Sequence, residues 1–178
     1  MFHINIKLFK ILLLIILISK NTMMDTQQIT HNNTKESNTK KIVDKTEKPF
    51  GRIIIDKINI DQYFYEKNSP ENTIEKHITQ LKESTPIENK NSLLILAAHS
   101  GVGEIAYFEK LDQLQVKDII RIYIQNVEYI FEIKDIWEEK KNGFIHIDKE
   151  PTKQLILTTC SPKKKEYQLV LNATIKES

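Results

Sequence analysis

A single cysteine, Cys160, occurs in 178 residues, which excludes an intramolecular disulfide and any metal site built from several thiolates. That thiol is either an inert buried group or a nucleophile. Arginine is almost as scarce, with only Arg52 and Arg121 present. Lysine and arginine together number 26 against 24 acidic residues, and the formal charge of +2 leaves no strongly basic face for nucleic acid, so none is expected as a partner. No cluster of carboxylates stands out as a cation site, and no metal or other cofactor is expected. No internal repeat is evident, and the length suits one ordinary domain with extra segments.

The unbroken apolar run Ile11 to Ile18 follows Lys7 and Lys10 and is closed by Ser19 and Lys20. A run this short behind positive charge has the form of a secretory signal. A full span takes roughly 20 apolar residues, which Phe2 to Met24 approaches only if the flanking lysines snorkel. No small-residue cleavage site follows Ser19 and no cysteine is at hand for a lipid. Residues 1–24 are therefore expected to be an uncleaved anchor, with a cleaved signal as the alternative. Lysines ahead of the run place the N-terminus inside, giving a single-pass protein of the cell membrane with an extracellular C-terminal domain. Residues 25–49 are rich in Asn, Thr, Lys and Gln and contain no Phe, Trp or Tyr. They cannot bury enough apolar surface to offset their ordering entropy and are expected to be a flexible tether. The folded domain is expected over 50–178.

Within that domain the pattern is mostly strand. Arg52 to Ile60 is rich in Ile, Gln62 to Tyr65 is short and aromatic, and Ser92 to Ala98 is an apolar run suited to a strand covered on both faces. Ile74, Ile78 and Leu81 stand at helical spacing and predict a short helix over Glu71 to Leu81. Tyr107, Phe108, Leu111 and Leu114 predict a helical turn after the loop His99 to Gly103. Asp118 to Ile124 and Val127 to Ile136 read as a hairpin turning at Gln125-Asn126, and Lys153 to Cys160 and Tyr167 to Ile175 as two further strands. Short strands with one or two small helices point to a mainly β barrel or sandwich. The charge run Glu138 to Lys141 reads as a solvated turn, and His146 as a strand-edge residue.

Cys160 ends one of these strands and His99 ends another, where a side chain is both held rigidly and reachable by solvent. A cysteine nucleophile needs a partner that favours the thiolate and later returns a proton, and histidine is the usual one. Position alone leaves open the plainer readings of a core thiol and a structural histidine.

The order of an apolar strand, Ala97-Ala98-His99-Ser100-Gly101, and then Leu157-Thr158-Thr159-Cys160 resembles the sortase family, which carries a histidine after a central strand and a T-L-x-T-C motif ending a later one. Leu157, Thr159 and Cys160 match that motif, and Ile156 stands in place of its first threonine. The likeness covers about residues 51–175. It implies a mainly β fold, a closed barrel of about eight strands with one or two short helices. It implies a cysteine transpeptidase with Cys160 and His99 as catalytic residues and with Thr159, Ala98 and Ser100 at the substrate site. Sortases have an arginine on the last strand; here Gln168 takes its place in Gln168-Leu169-Val170-Leu171-Asn172-Ala173, and neither arginine of the chain is near it. The resemblance assigns that position to the oxyanion, which the Gln168 amide N–H would serve without a charge, by a bond roughly half as strong.

The implied partners are surface proteins bearing an LPxTG-like sorting signal, an amine of a cell-wall precursor or a pilin, and the membrane through the N-terminal segment. Two rivals stand beside this reading. One is a catalytically weak or inactive sortase-like peptide-binding module, for which the missing arginine speaks. The other is a papain-like hydrolase, disfavoured because there the cysteine precedes the histidine and opens a helix.

Overall fold

Isoleucine and leucine at alternate positions make strands wherever the chain can pair them, and here they pair into a ring. A computed structural model describes residues 2–3 and 47–176. Its strands are β1 Phe2–His3, β2 Gly51–Ile55, β3 Ile60–Tyr65, β4 Ile78–Gln80, β5 Leu93–Ala97, β6 Ile119–Ile124, β7 Val127–Lys140, β8 His146–Ile147, β9 Gln154–Cys160 and β10 Tyr167–Ile175. Eight of them close a barrel in the order β10-β7-β6-β2-β3-β4-β5-β9, while β1 and β8 form a separate two-residue ladder. Within the barrel only β3–β4 and β5–β9 pair in parallel. This is the closed, mainly β architecture expected. Among the described residues the only helical segments are two 3₁₀ turns, Asp56–Ile58 and Leu111–Gln113, and no helix is long and apolar enough to cross a membrane. Apart from residues 2–3 and 47–49, the anchor expected over 1–24 and the tether over 25–49 lie outside the described residues.

Alternation sorts the side chains. Leu94, Leu96, Leu155, Leu157, Leu169, Leu171 and Ala173 point inward and join Phe64, Phe108 and Phe131 in the barrel core. Residues one step out of phase face outward, where Ile95, Ile156 and Val170 are covered by Ile145 and Ile147 from the segment between β7 and β9. The barrel therefore has a second, smaller core on the outer face of β5, β9 and β10.

Two expectations are corrected. The helix over Glu71 to Leu81 does not form; the segment is a series of turns leading into β4. The Asn72 side chain accepts from Gln80 N–H at 2.7 Å and donates to Gln80 O at 2.9 Å, standing in for a strand neighbour and leaving the backbone no reason to coil. The strand over Arg52 to Ile60 is broken by the 3₁₀ turn, because Asn59 adopts a left-handed conformation (φ 57°) that reverses the chain into β3. The β6–β7 hairpin turns where expected, with positive φ at both Gln125 and Asn126, as a two-residue primed turn requires.

Gly51 opens β2 opposite Phe64. A Cβ there would lie 2.7 Å from Phe64 Cε1 and 2.9 Å from the carbonyl oxygen of Tyr123. The ring is fully buried and the carbonyl belongs to the ladder, so neither can yield freely. Gly51→Ala is expected to destabilise the fold by about 1–3 kcal/mol through overpacking, measured as a lower urea midpoint at unchanged m-value.

Candidate active site

The register of β5 against β9 pairs Leu93 with Gln154 and Ala97 with Thr158. Carried two residues further, the same register sets His99 alongside Cys160. Side-chain bonds hold the strand ends together past the last ladder pair. Thr159 Oγ1 donates to Ala98 O at 2.8 Å, and Ser100 Oγ donates to Cys160 O at 2.9 Å. By alternation Cys160 follows Ile156 and Thr158 to the outer face, while His99 stands two residues past Ala97, the last residue of β5. Cys160 is an exposed free thiol and His99 is half-buried.

On the other side of β9, Gln168 of β10 lies directly opposite Cys160, and Glu139 of β7 directly opposite Gln168. Directly opposed residues of antiparallel strands share a face. Cys160, Gln168 and Glu139 thus form one transverse row across three adjacent strands, with His99 two residues past the end of the neighbouring β5. The row contains two of the three residues expected to be catalytic, Cys160 and Gln168, and adds Glu139, which the sequence pattern does not single out. Glu139 falls within the charge run expected as a solvated turn, but β7 continues as a strand to Lys140. A single alternation beyond Trp137, which packs on the outer cluster, puts Glu139 on the same face. Glu139 Oε2 lies 2.7 Å from His146 Nδ1, and the carboxylate is mostly covered, with 14% of its side-chain surface exposed.

Gln168 differs from the expectation in what its amide does. Nε2 donates to Glu139 Oε1 at 3.1 Å and to Phe144 O at 2.9 Å, so both N–H groups are engaged away from Cys160. Thr159 and Ala98, expected at the substrate site, are buried. The pleat turns Thr159 inward, opposite Leu169, and its hydroxyl with the Ala98 carbonyl forms the clasp between β5 and β9. Ser100 is half-buried at the mouth, its hydroxyl engaged with Cys160 O.

The loops that follow the two strand ends are each tied down. After His99, Gly101 and Gly103 take φ values of 109° and 136°, conformations that L side chains rarely adopt, and the chain returns where Phe108 N–H donates to His99 O at 3.0 Å. After Cys160, the Ser161 hydroxyl accepts from the N–H groups of Lys163 and Lys164 and bonds Glu138 Oε1, while Lys164 Nζ pairs with Glu138 Oε2 at 3.0 Å. The Ser161 hydrogen bond first, then that of Lys164, holds the Glu138 carboxyl below the usual carboxylate range. A lowered carboxyl favours the folded loop while ionised, and that contribution fades as pH falls through its depressed value. Two cavities of about 200 Å³ and 210 Å³ lie elsewhere, one lined by Phe50, Lys67, Gln80 and Ile87 and the other by Ile58, Tyr107 and Lys110. Neither includes Cys160 or His99.

Against known proteins, the family model of the sortase domain matches residues 53–176. Solved structures with a similar fold include a lid mutant of sortase A from Corynebacterium diphtheriae, 22% identical with a TM-score of 0.62 over 75% of this chain and 74% of that one. Sortase C-1 from Actinomyces oris is 19% identical with a TM-score of 0.62 over 75% and 77%. Sortase C1 from Streptococcus agalactiae is 26% identical with a TM-score of 0.61 over 76% and 71%. No curated protein matches the sequence.

The Thr159–Ala98 clasp has a measurable consequence. Thr159→Val keeps the shape but strands the buried Ala98 carbonyl, and is expected to cost about 1–3 kcal/mol. Equilibrium unfolding measures it, and amide exchange over residues 97–100 is expected to quicken with it.

Proposed function

This chain belongs to the sortase family, a family of cysteine transpeptidases, and on that premise we propose that it cleaves an LPxTG-like sorting signal and joins the acyl product to an amine at the cell surface. The observation that supports this reading is the parallel β5–β9 register, whose last pair, Ala97 with Thr158, stands two residues before His99 and two before the exposed Cys160. The thiolate of Cys160 attacks the carbonyl carbon before the scissile bond, forming an S–C bond and a tetrahedral oxyanion. The C–N bond then breaks as the His99 imidazolium gives its proton to the leaving amine, leaving a thioester. An incoming amine of a cell-wall precursor or a pilin lysine gives a proton back to His99 as its own C–N bond forms and the S–C bond breaks. With the N–H groups of Gln168 engaged by Glu139 and Phe144, the amide as held here is not free to donate to the oxyanion.

The same commitment of the Gln168 donors favours a second reading, a sortase-like module that binds peptides and turns them over slowly or not at all. Incubation with a panel of LPxTG-like peptides separates the two. The transpeptidase gives an acyl adduct on Cys160 by mass spectrometry, absent in Cys160→Ala and formed about 100- to 10,000-fold more slowly in His99→Ala. Binding without any adduct favours the module.

We also propose that residues 1–24 anchor the chain with the domain outside. Insertion would break the two-residue ladder between Phe2–His3 and β8. Ladder bonds are worth about 1 kcal/mol each net, whereas burying an aliphatic side chain in lipid yields about 1.5–3 kcal/mol, and Ile11 to Ile18 supplies eight of them. The expected outcome is fractionation with membranes and loss of residues 50–178 to protease added to intact cells. Recovery in the soluble fraction, with β1 paired to β8, is the contrary result.

A further inference from the structure

The row on the outer face decides what Gln168 can offer a ligand. A glutamine amide has two N–H groups and one oxygen. Both N–H groups are spent, on Glu139 Oε1 and Phe144 O. What remains is acceptance at Oε1. The assignment of nitrogen and oxygen follows from chemistry: a flipped amide would set its oxygen against a carboxylate and a carbonyl, two acceptors with no proton between them. Glu139 is itself held. His146 Nδ1 lies 2.7 Å from Oε2, and the His146 backbone N–H donates to both carboxylate oxygens at 3.3 Å. Among the described residues the Gln168 oxygen accepts no hydrogen bond, so it is the part of the amide left for a ligand.

A guanidinium at this place has only donors and suits the carbonyl groups of a bound chain. Gln168 as held here suits the opposite group. A peptide extended beside Cys160 presents N–H and C=O groups alternately along its edge, so an N–H is within its repertoire. Resting on the reading of Cys160 as a nucleophile toward peptides, we propose that Gln168 Oε1 accepts a backbone N–H of the bound peptide, and that Glu139 is the positioning residue that turns the amide to do so.

The test measures binding, so that chemistry cannot mask it. Full-length Cys160→Ala in detergent is titrated with fluorescent LPxTG-like peptides whose backbone amides are N-methylated one at a time. One position is expected to weaken binding about 2- to 12-fold, the effect of losing one neutral hydrogen bond. In Cys160→Ala carrying Gln168→Met, that position is expected to cost no more than its neighbours; Gln168→Ala serves if the methionine variant unfolds. Glu139→Met, which removes the acceptor that orients the amide, is expected to erase the same position-specific penalty, and Glu139→Gln, which keeps an acceptor, to restore it. A merely structural role for Glu139 would weaken every peptide alike. The proposal is overturned if no position depends on Gln168, if the penalty survives Gln168→Met, if Glu139→Met leaves it intact, or if no peptide binds. An acyl adduct on the wild-type chain without a Gln168-dependent position overturns this inference and leaves the transpeptidase reading standing. A Gln168-dependent position without an adduct does the reverse.

Discussion

The parallel ladder between β5 and β9 closes the barrel, and its register brings two residues far apart in the chain to neighbouring strand ends. A parallel pair needs a long crossover. Here the crossover contains the loop after His99 and the whole β6–β7 hairpin, so the site forms only when most of the fold is in place. A slip of one residue along this ladder would turn either the histidine or the cysteine into the core. The bonds from Thr159 to Ala98 and from Ser100 to Cys160 stand where the ladder ends and would otherwise fray.

From that ladder outward, each strand hands the next a neighbour on the same face. Cys160 faces Gln168, and Gln168 faces Glu139. The adjacent residues Glu138 and Glu139 look alike in sequence but do different work because the pleat sends them to opposite faces. Glu138 secures the loop after Cys160 through Ser161 and Lys164, and Glu139 holds the Gln168 amide and His146. The outer cluster beneath Ile145 and Ile147 keeps the segment between β7 and β9 against the sheet, which places the Phe144 carbonyl where the Gln168 amide meets it. The charge balance of the row follows from these contacts. Gln168 gives this row a neutral amide bound to a carboxylate, and the nearby Lys164 is drawn off to Glu138 and the ring of Tyr167.

Much of the architecture was legible in the sequence because burial on a pleated surface leaves a period of two. The strands from β5 to β7 and β9 to β10, the Gln125-Asn126 turn and the strand-end positions of His99 and Cys160 all carry that local signature. The helix expected over Glu71 to Leu81 failed because the apolar spacing is ambiguous over so short a stretch, and an asparagine side chain, which no periodicity registers, pairs with Gln80. The family depended on residue types in order along the chain, as did the choice of Cys160 and His99 as the proposed nucleophile and acid, and the sequence by itself determined both. The partners of Gln168, the inward turn of Thr159 and the role of Glu139 were decided by tertiary structure alone. Each depends on which residue stands opposite which across a strand pair, and that register is set by closure of the whole barrel, a long-range constraint that no local pattern of side chains encodes.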